Sequence, residues 1–312
     1  MNDDQMLWVE KYRPQTIKDC ILPDALKVPF QQYVDKKEIP NLILTGTSGV
    51  GKTTVARAMC QEVGSDYIMI NGSDESGIDT LRMKVKGFAF SVSLYGNRKT
   101  VIIDEADYLT PNAQAAFRGV IEETAGNCSY IFTCNYLNRI IAPLHSRCAV
   151  INFKLSGSDK AQMASQFMGR VRNILTTEKI EFDIKVLATL ITKFFPDYRR
   201  ILNELQRYSV GGRIDDGILS QVTDVTLDEL VGYFKNKNFK AIRKWVGLNC
   251  ADDAQKILRD LYDKLSSIVA SKDIPVAIVI IGKYCYQDSF AIDKEINLMC
   301  ALTEIYCECE FT

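Results

Sequence analysis

Gly46-Thr47-Ser48-Gly49-Val50-Gly51-Lys52-Thr53 satisfies every fixed position of the pattern G-x-x-x-x-G-K-[ST], and it restricts the fold more than any other stretch of the chain. The apolar run Leu42–Leu44 precedes it and a helical pattern begins at Lys52, so the loop joins a strand to a helix. In that setting the glycines let successive backbone N–H groups turn toward a phosphate, and the helix N-terminus adds the positive end of its dipole. Lys52 is placed to neutralise β- and γ-phosphates, and the Thr53 hydroxyl to ligate Mg²⁺.

From Asn41 to Phe153 short apolar runs alternate with helical stretches. The predicted strands are Leu42–Leu44, Tyr67–Ile70, Thr100–Ile103, Tyr130–Thr133 and Ala149–Phe153, with helices starting near Lys52, Asp79, Asn112 and Leu137. This alternation specifies an α/β domain with a doubly wound parallel sheet. The third strand ends in Asp104-Glu105-Ala106-Asp107. At a parallel strand's carboxyl end beside the phosphate loop, Asp104 suits the water shell of Mg²⁺ and Glu105 suits polarisation of an attacking water. Asp107 is expected to cap the segment that follows. The fourth strand runs into Cys134-Asn135, where the Asn amide either senses a γ-phosphate or makes a strand-end turn. Arg147, within His145-Ser146-Arg147-Cys148, is expected at the domain edge, away from its own phosphate loop. There it serves either a neighbouring subunit's nucleotide or a surface ion pair.

After Phe153 strand signals nearly vanish. Ser156 to Asp159 reads as a loop and N-cap for a helix running to about Leu175. Helices at Phe182–Phe194 and Tyr198–Ser209 follow, separated by Pro196, and helical segments continue beyond about Val222. Val276–Tyr286 is apolar nearly all round, which suggests burial against another helix or another subunit. Three parts are therefore expected, at residues 1–153, 154–221 and 222–312.

Composition narrows the function. With 38 Lys and Arg against 39 Asp and Glu, the net charge of −1 excludes coating nucleic acid by bulk charge, though not by a local patch. Thr80 to Ile103 holds Arg82, Lys84, Lys86, Arg98 and Lys99 and no acidic residue, which fits a solvated helix face or a phosphate-facing surface. A single histidine, His145, excludes multi-histidine metal sites. The ten cysteines include no C-x-x-C, and the first ten residues lack a secretory pattern, so buried, reduced thiols of a cytoplasmic protein are expected. No run approaches the roughly 18 apolar residues of a membrane span.

Trp8-Val9-Glu10-Lys11-Tyr12-Arg13-Pro14, the phosphate loop, Asp104-Glu105-Ala106-Asp107 and Ser146-Arg147-Cys148 together resemble the clamp-loader branch of the AAA+ ATPases. The stretch Asn71 to Asp79 resembles replication factor C small subunits. Asp19 to Pro23, Phe195 to Arg200 and Asp216 to Ser220 look closer still to the large subunits of T-even phage clamp loaders. The resemblance implies a RecA-like AAA+ ATPase domain, then a helical lid domain, then an all-helical collar through which subunits assemble. It further implies an ATP- and Mg-dependent hydrolase stimulated by DNA and clamp, in a pentamer of four such chains and one smaller subunit. Such an assembly opens a sliding clamp, admits primer-template DNA and releases the closed clamp on hydrolysis, in the cytoplasm of a bacterial host where the chain is phage-encoded.

Carried over by position, the resemblance implies catalysis by Lys52, Glu105 and Asn135, with Arg147 acting in trans and the lid residue Arg199, rather than Arg200, reaching the γ-phosphate. Val9, Glu10, Lys11, Tyr12 and Ile21 would frame adenine, largely through backbone and apolar contacts, with Gly49, Val50, Gly51, Lys52, Thr53 and Thr54 holding the phosphates, and Thr53 with Asp104 the Mg²⁺. DNA contact would fall to helix N-termini near Ile78 and Asn112, with Arg82, Lys84 and Arg118, while Gln114 would couple DNA to Glu105. The loop lacks prolines common among relatives, which leaves phosphate binding intact because proline contributes no N–H donor. Two other classes stay open: a silent clamp-loader scaffold, opposed by the intact Lys52, Thr53, Asp104 and Glu105, and another AAA+ machine such as a helicase loader or DNA remodeller. Ser146-Arg147-Cys148 and the long helical end weigh against the latter.

Overall fold

Five parallel strands, β1 (Leu42–Thr45), β2 (Tyr67–Asn71), β3 (Lys99–Asp104), β4 (Cys128–Cys134) and β5 (Ala149–Asn152), form one sheet in the order β2-β3-β4-β1-β5. This computed structural model describes residues 7–73, 78–93, 98–218, 227–249, 254–288 and 290–311. Parts of the stretches Asn71 to Asp79 and Asp216 to Ser220, the expected boundary at 221/222, and Cys250 lie outside the described residues. All five predicted strands are present, each within two residues of its predicted ends. The chain divides into two units, Met1–Gln221 and Val222–Thr312.

In the first unit, α3 (Lys52–Val63), α4 (Ile78–Phe90) and α5 (Pro111–Glu123) connect successive strands, after α1 (Trp8–Lys11) and α2 (Asp24–Asp35). Strand side chains alternate between two cores. Leu42, Leu44, Ile102 and Ile131 pack with Phe30, Met59 and Phe153 on one face, while Ile43, Val101, Ile103, Tyr130 and Phe132 pack with Phe117 on the other. Each such fully buried side chain contributes about 1.5–3 kcal/mol. The connection from β4 to β5 departs from the expected helix at Leu137. It is a 3-10 turn, Leu137–Arg139, and the one-turn α6 (Ala142–His145), because Pro143 is tolerated only in the first turn of a helix and so no helix can run through it from Leu137.

Ser156 and Asp159 form the expected reciprocal cap of α7 (Gly157–Thr177). The helix expected from Phe182 instead starts later, as α8 (Ile184–Phe194), capped by Asp183. Glu181–Phe182 is a strand, β6, paired in parallel with β7 (Arg213–Ile214), beyond α9 (Tyr198–Ser209). Two-residue strands carry too little alternation to register in the sequence.

The second unit contains α10 (Leu227–Lys235), α11 (Phe239–Asn249), α12 (Ala254–Ile268), α13 (Ile274–Asp288) and α14 (Lys294–Glu308). Its core includes Leu230, Phe234, Trp245, Leu261, Ile281 and Leu302. The apolar helix α13 is covered only on one side: Ala277, Ile280, Ile281 and Tyr284 are buried, whereas Val276, Ile278, Val279 and Tyr286 are exposed. Among the described residues no helix is long and apolar enough to cross a membrane. Cys20, Cys60, Cys128, Cys134, Cys148 and Cys309 are buried as expected, but Cys300 and Cys307 are exposed on α14.

Candidate nucleotide site

The strand register brings the chemistry together. Thr45 pairs with Cys134 and Ile103 with Phe132, so the phosphate loop emerges beside Asn135 and Asp104 beside Thr133. Gly51 caps α3 in the left-handed conformation (φ 94°) and Gly49 is also left-handed (φ 76°), a backbone that glycine adopts without strain. No side chain caps this helix, which leaves its first N–H groups facing the loop. Lys52 is 8% exposed, and its ammonium donates to the carbonyls of Gly46 (2.7 Å) and Thr47 (2.8 Å) and to Asn135 Oδ1 (2.8 Å). Burial pulls the Lys52 ammonium below its ordinary pKa, opposed by the Asp104 and Asp107 carboxylates nearby. Left-handed glycines, an uncapped helix start and a buried ammonium make a donor set that fits a polyphosphate.

Asp104 Oδ1 accepts two hydroxyl hydrogen bonds, from Thr53 (2.7 Å) and from Thr133 (2.5 Å). The Thr133 hydroxyl in turn accepts the backbone N–H of Glu105 at 3.1 Å. Glu105 itself has φ 54°, a left-handed conformation uncommon outside glycine and found disproportionately at functional sites. Gly72 makes room for it, since a Cβ built there would lie 2.6 Å from the Glu105 carbonyl oxygen. No cluster of three or more His, Cys, Asp or Glu able to hold a metal occurs among the described residues. Mg²⁺ needs none, because one or two carboxylates with a hydroxyl and phosphate oxygens suffice. Thr53 and Asp104, already 2.7 Å apart, fit that requirement.

An open cavity joins these groups. Gly49 through Thr54, Asp104, Glu105 and Asn135 line it, along with Val9, Tyr12 and Ile21 from the N-terminal segment and Arg199 from α9. The adjacent pair separates clearly, because Arg200 instead stacks its guanidinium on Phe194 at 4.3 Å. Two expected adenine-framing residues are absent from the lining. Glu10 pairs with Arg13 and Arg57, and Lys11 with Glu178 (2.9 Å), so their side chains fix the segment while Val9 and Tyr12 face the cavity.

Asp107 also departs from expectation. It does not cap the helix after it, which Thr110 caps through Ala113 N. Its Oδ2 accepts the N–H groups of Asn135 (3.1 Å) and Tyr136 (3.0 Å) at the end of β4. Arg147 stands outside the cavity and donates to Glu122 and, at 2.9 Å, to the Pro143 carbonyl. The Glu122 carboxyl is accordingly held below the usual carboxylate range. Gln114 is buried and makes no hydrogen bond to Glu105 among the described residues. It donates to the carbonyls of Leu109 (3.1 Å) and Arg139 (3.0 Å) and accepts from Ile141 N (2.9 Å), tying α5 to the segment that leads toward Arg147.

Helices α4 and α5 start at Ile78 and Pro111, one residue from Asp79 and Asn112, and Arg82, Lys84 and Arg118 are exposed on them. Three other cations of the acid-free stretch are engaged elsewhere. Lys86 pairs with Glu123 (2.5 Å), Arg98 donates to the carbonyls of Ala125 and Cys128, and Lys99, 3% exposed, donates to those of Phe88 and Ser91. Thr133 and the lid residues Phe167, Tyr198 and Leu202 complete the cavity wall, and Gly72 lies against the Glu105 carbonyl, although no sequence motif singles them out. Thr133 lies two residues before Asn135 and in register with Asp104, a signal that strand alignment could have supplied.

Two family models match the first unit. One, for the AAA family of ATPases associated with various cellular activities, covers residues 42–156. The other, described as the sliding-clamp-loader large subunit AAA+ ATPase lid domain, covers residues 159–220. The chain is 36% identical to the sliding-clamp-loader large subunit of Escherichia phage RB69 over 317 residues, spanning 99% of this chain and 98% of that protein. It is likewise 36% identical to the corresponding subunit of Enterobacteria phage T4, over 100% and 99% of the two chains. The replication factor C small subunit of Natronomonas pharaonis is 35% identical over 72% of this chain and 69% of that protein. Among solved structures, a RuvB mutant from Thermotoga maritima shares the fold with a TM-score of 0.51 at 14% identity, over 67% of this chain and 71% of that one.

Proposed function

This chain belongs to the clamp-loader family of AAA+ ATPases, and from that premise we propose that it opens a sliding clamp and places it on primer-template DNA, using ATP bound at the cavity described above. It is a nucleotide-binding ATPase subunit of a clamp loader. The observation that carries the finer reading is the undamaged constellation at the sheet's carboxyl ends. Lys52 meets Asn135, and Asp104 meets both Thr53 and Thr133, where a silent scaffold would have no use for them.

In the proposed reaction the α3 N–H groups and Lys52 hold the β- and γ-phosphates, and Arg199 adds positive charge from the lid. Thr53 and Asp104 would hold Mg²⁺, which when bound would neutralise charge on the phosphate oxygens. Glu105 accepts a proton from the attacking water, while Asn135 orients that water and the γ-phosphate. Arg147 reaches the nucleotide of the next subunit and stabilises charge on the transferring phosphoryl group. Residues 1–153, 154–221 and 222–312 act as ATPase domain, lid and collar, and the exposed face of α13 is available for collar assembly into the proposed 4:1 pentamer in the bacterial cytoplasm. DNA phosphates meet the N-termini of α4 and α5 with Arg82, Lys84 and Arg118, and Gln114 transmits that contact toward the active site.

The test is ATP turnover by the reconstituted assembly, measured with and without clamp and primer-template DNA. Both should stimulate it, and Lys52→Ala should abolish nucleotide binding and turnover together. Turnover indifferent to the clamp, with stimulation by DNA alone, would favour a DNA remodeller.

A further inference from the structure

We propose that Asp107 is a positioning residue for the hydrolytic reaction: by accepting the backbone N–H groups of Asn135 and Tyr136 on one carboxylate oxygen, it fixes the Asn135 amide against Lys52. The proposal rests on the reading above in which Asn135 and Lys52 act on the nucleotide. Backbone pairing between β3 and β4 ends at Ile103 and Phe132, so beyond that point the ladder no longer sets the separation of the two strand ends. Side chains take over. Thr133 Oγ1 accepts Glu105 N at 3.1 Å, and two residues further along each segment Asp107 Oδ2 accepts Asn135 N at 3.1 Å and Tyr136 N at 3.0 Å.

The chain of contacts is continuous. Asn135 Oδ1 accepts the Lys52 ammonium at 2.8 Å, so Asp107 is one residue removed from the group that faces the phosphates. Asp107 is 5% exposed, and its second oxygen, Oδ1, is buried with no hydrogen-bond partner among the described residues. A buried carboxylate oxygen left bare is costly, and the hydrogen bonds that Oδ2 makes to the end of β4 are what offsets that cost. The bare oxygen also makes a clean test possible. Asparagine can offer its single oxygen to both N–H groups and put its amide nitrogen where Oδ1 stands.

The experiment compares Asp107→Ala, Asp107→Asn, Asp107→Glu, Asn135→Ala and the double variant Asp107→Ala/Asn135→Ala in the full chain, alone and in the reconstituted assembly. Readouts are kcat, affinity for a fluorescent ATP analogue, and hydrogen exchange at the Asn135 and Tyr136 amides without nucleotide. Asp107→Ala should lower kcat on the order of tenfold, leave nucleotide affinity within about threefold, and speed exchange at both amides. Asp107→Asn should restore most of kcat and the protection. The double variant should be no slower than Asn135→Ala, because both changes remove one function. Should Asp107→Ala not fold, Asp107→Glu carries the test: its extra methylene should displace Asn135 and lower kcat several-fold, and wild-type kcat there would overturn the proposal. Full kcat in Asp107→Ala beside a defective Asn135→Ala overturns it while sparing the Asn135 reading, as do losses that multiply in the double variant. Full kcat in Asn135→Ala removes the Asn135 reading itself, and the proposal with it.

Discussion

Replacing Gly72 with alanine tests whether Glu105 is held for chemistry by the end of a neighbouring strand. The added Cβ would meet the Glu105 carbonyl oxygen at 2.6 Å and the Asp104 carbonyl oxygen at 3.2 Å, both backbone atoms. Ordinary contact begins near 3.4 Å, so the two segments must separate by roughly 0.8 Å. Gly72 N also donates to Asp104 O at 2.7 Å, so the separation strains that bond as well. Overpacking of this kind costs about 1–3 kcal/mol of stability. The larger effect falls on the reaction. Glu105 sits in a left-handed conformation anchored through Thr133, and a shift approaching 1 Å in a positioned group costs up to about a hundredfold in rate. Single-turnover hydrolysis at saturating ATP, with affinity for a fluorescent nucleotide measured in parallel, separates the two. The expected result is a loss of ten- to a hundredfold, on that order, in the chemical step with nucleotide affinity little changed. An unchanged hydrolysis rate in a folded Gly72→Ala chain would refute the idea that this contact positions Glu105.

Arg199→Ala should weaken ATP-dependent turnover, whereas Arg200→Ala should leave turnover intact and lower thermal stability by about 0.5–1 kcal/mol through the lost stacking on Phe194; kinetics and a melting curve for both check this. Thr133→Val keeps the side-chain shape but removes the hydroxyl shared by Asp104 and Glu105 N, and turnover should fall about tenfold, with the melting temperature reporting the lost hydrogen bonds. Glu122→Gln should leave nucleotide affinity unchanged, because Glu122 touches Arg147 and lies outside the cavity; equilibrium binding of a fluorescent nucleotide measures it.

Much of the first unit was legible because its signals are local. The phosphate loop and the acidic strand end are contiguous motifs, and the strands are short apolar runs whose alternation shows up as two cores. What escaped the sequence depends on alignment across strands. Thr133 is one apolar-flanked threonine until β4 is set beside β3, and Gly72 is one turn glycine until β2 brings it under Glu105. Asp107 reads from the sequence as a cap for the segment that follows, since local capping is the only partner a linear reading offers, yet its Oδ2 accepts from residues 28 and 29 positions away. Glu10 and Lys11 lie inside a recognisable motif, but a helix of one turn points neighbours in different directions, and the motif alone cannot say which face the cavity. The two-residue strands β6 and β7 carry no period to detect.

The central claim is that catalysis is shared between subunits, and complementation measures it most directly. Assemblies made only of Arg147→Ala chains, or only of Lys52→Ala chains, should each lack stimulated ATP turnover. Mixed at equal amounts, the first supplies intact nucleotide sites and the second intact arginines, so about a quarter of randomly formed interfaces should become competent and turnover should reappear. Mixed assemblies that form normally yet stay as inactive as either parent would contradict the account.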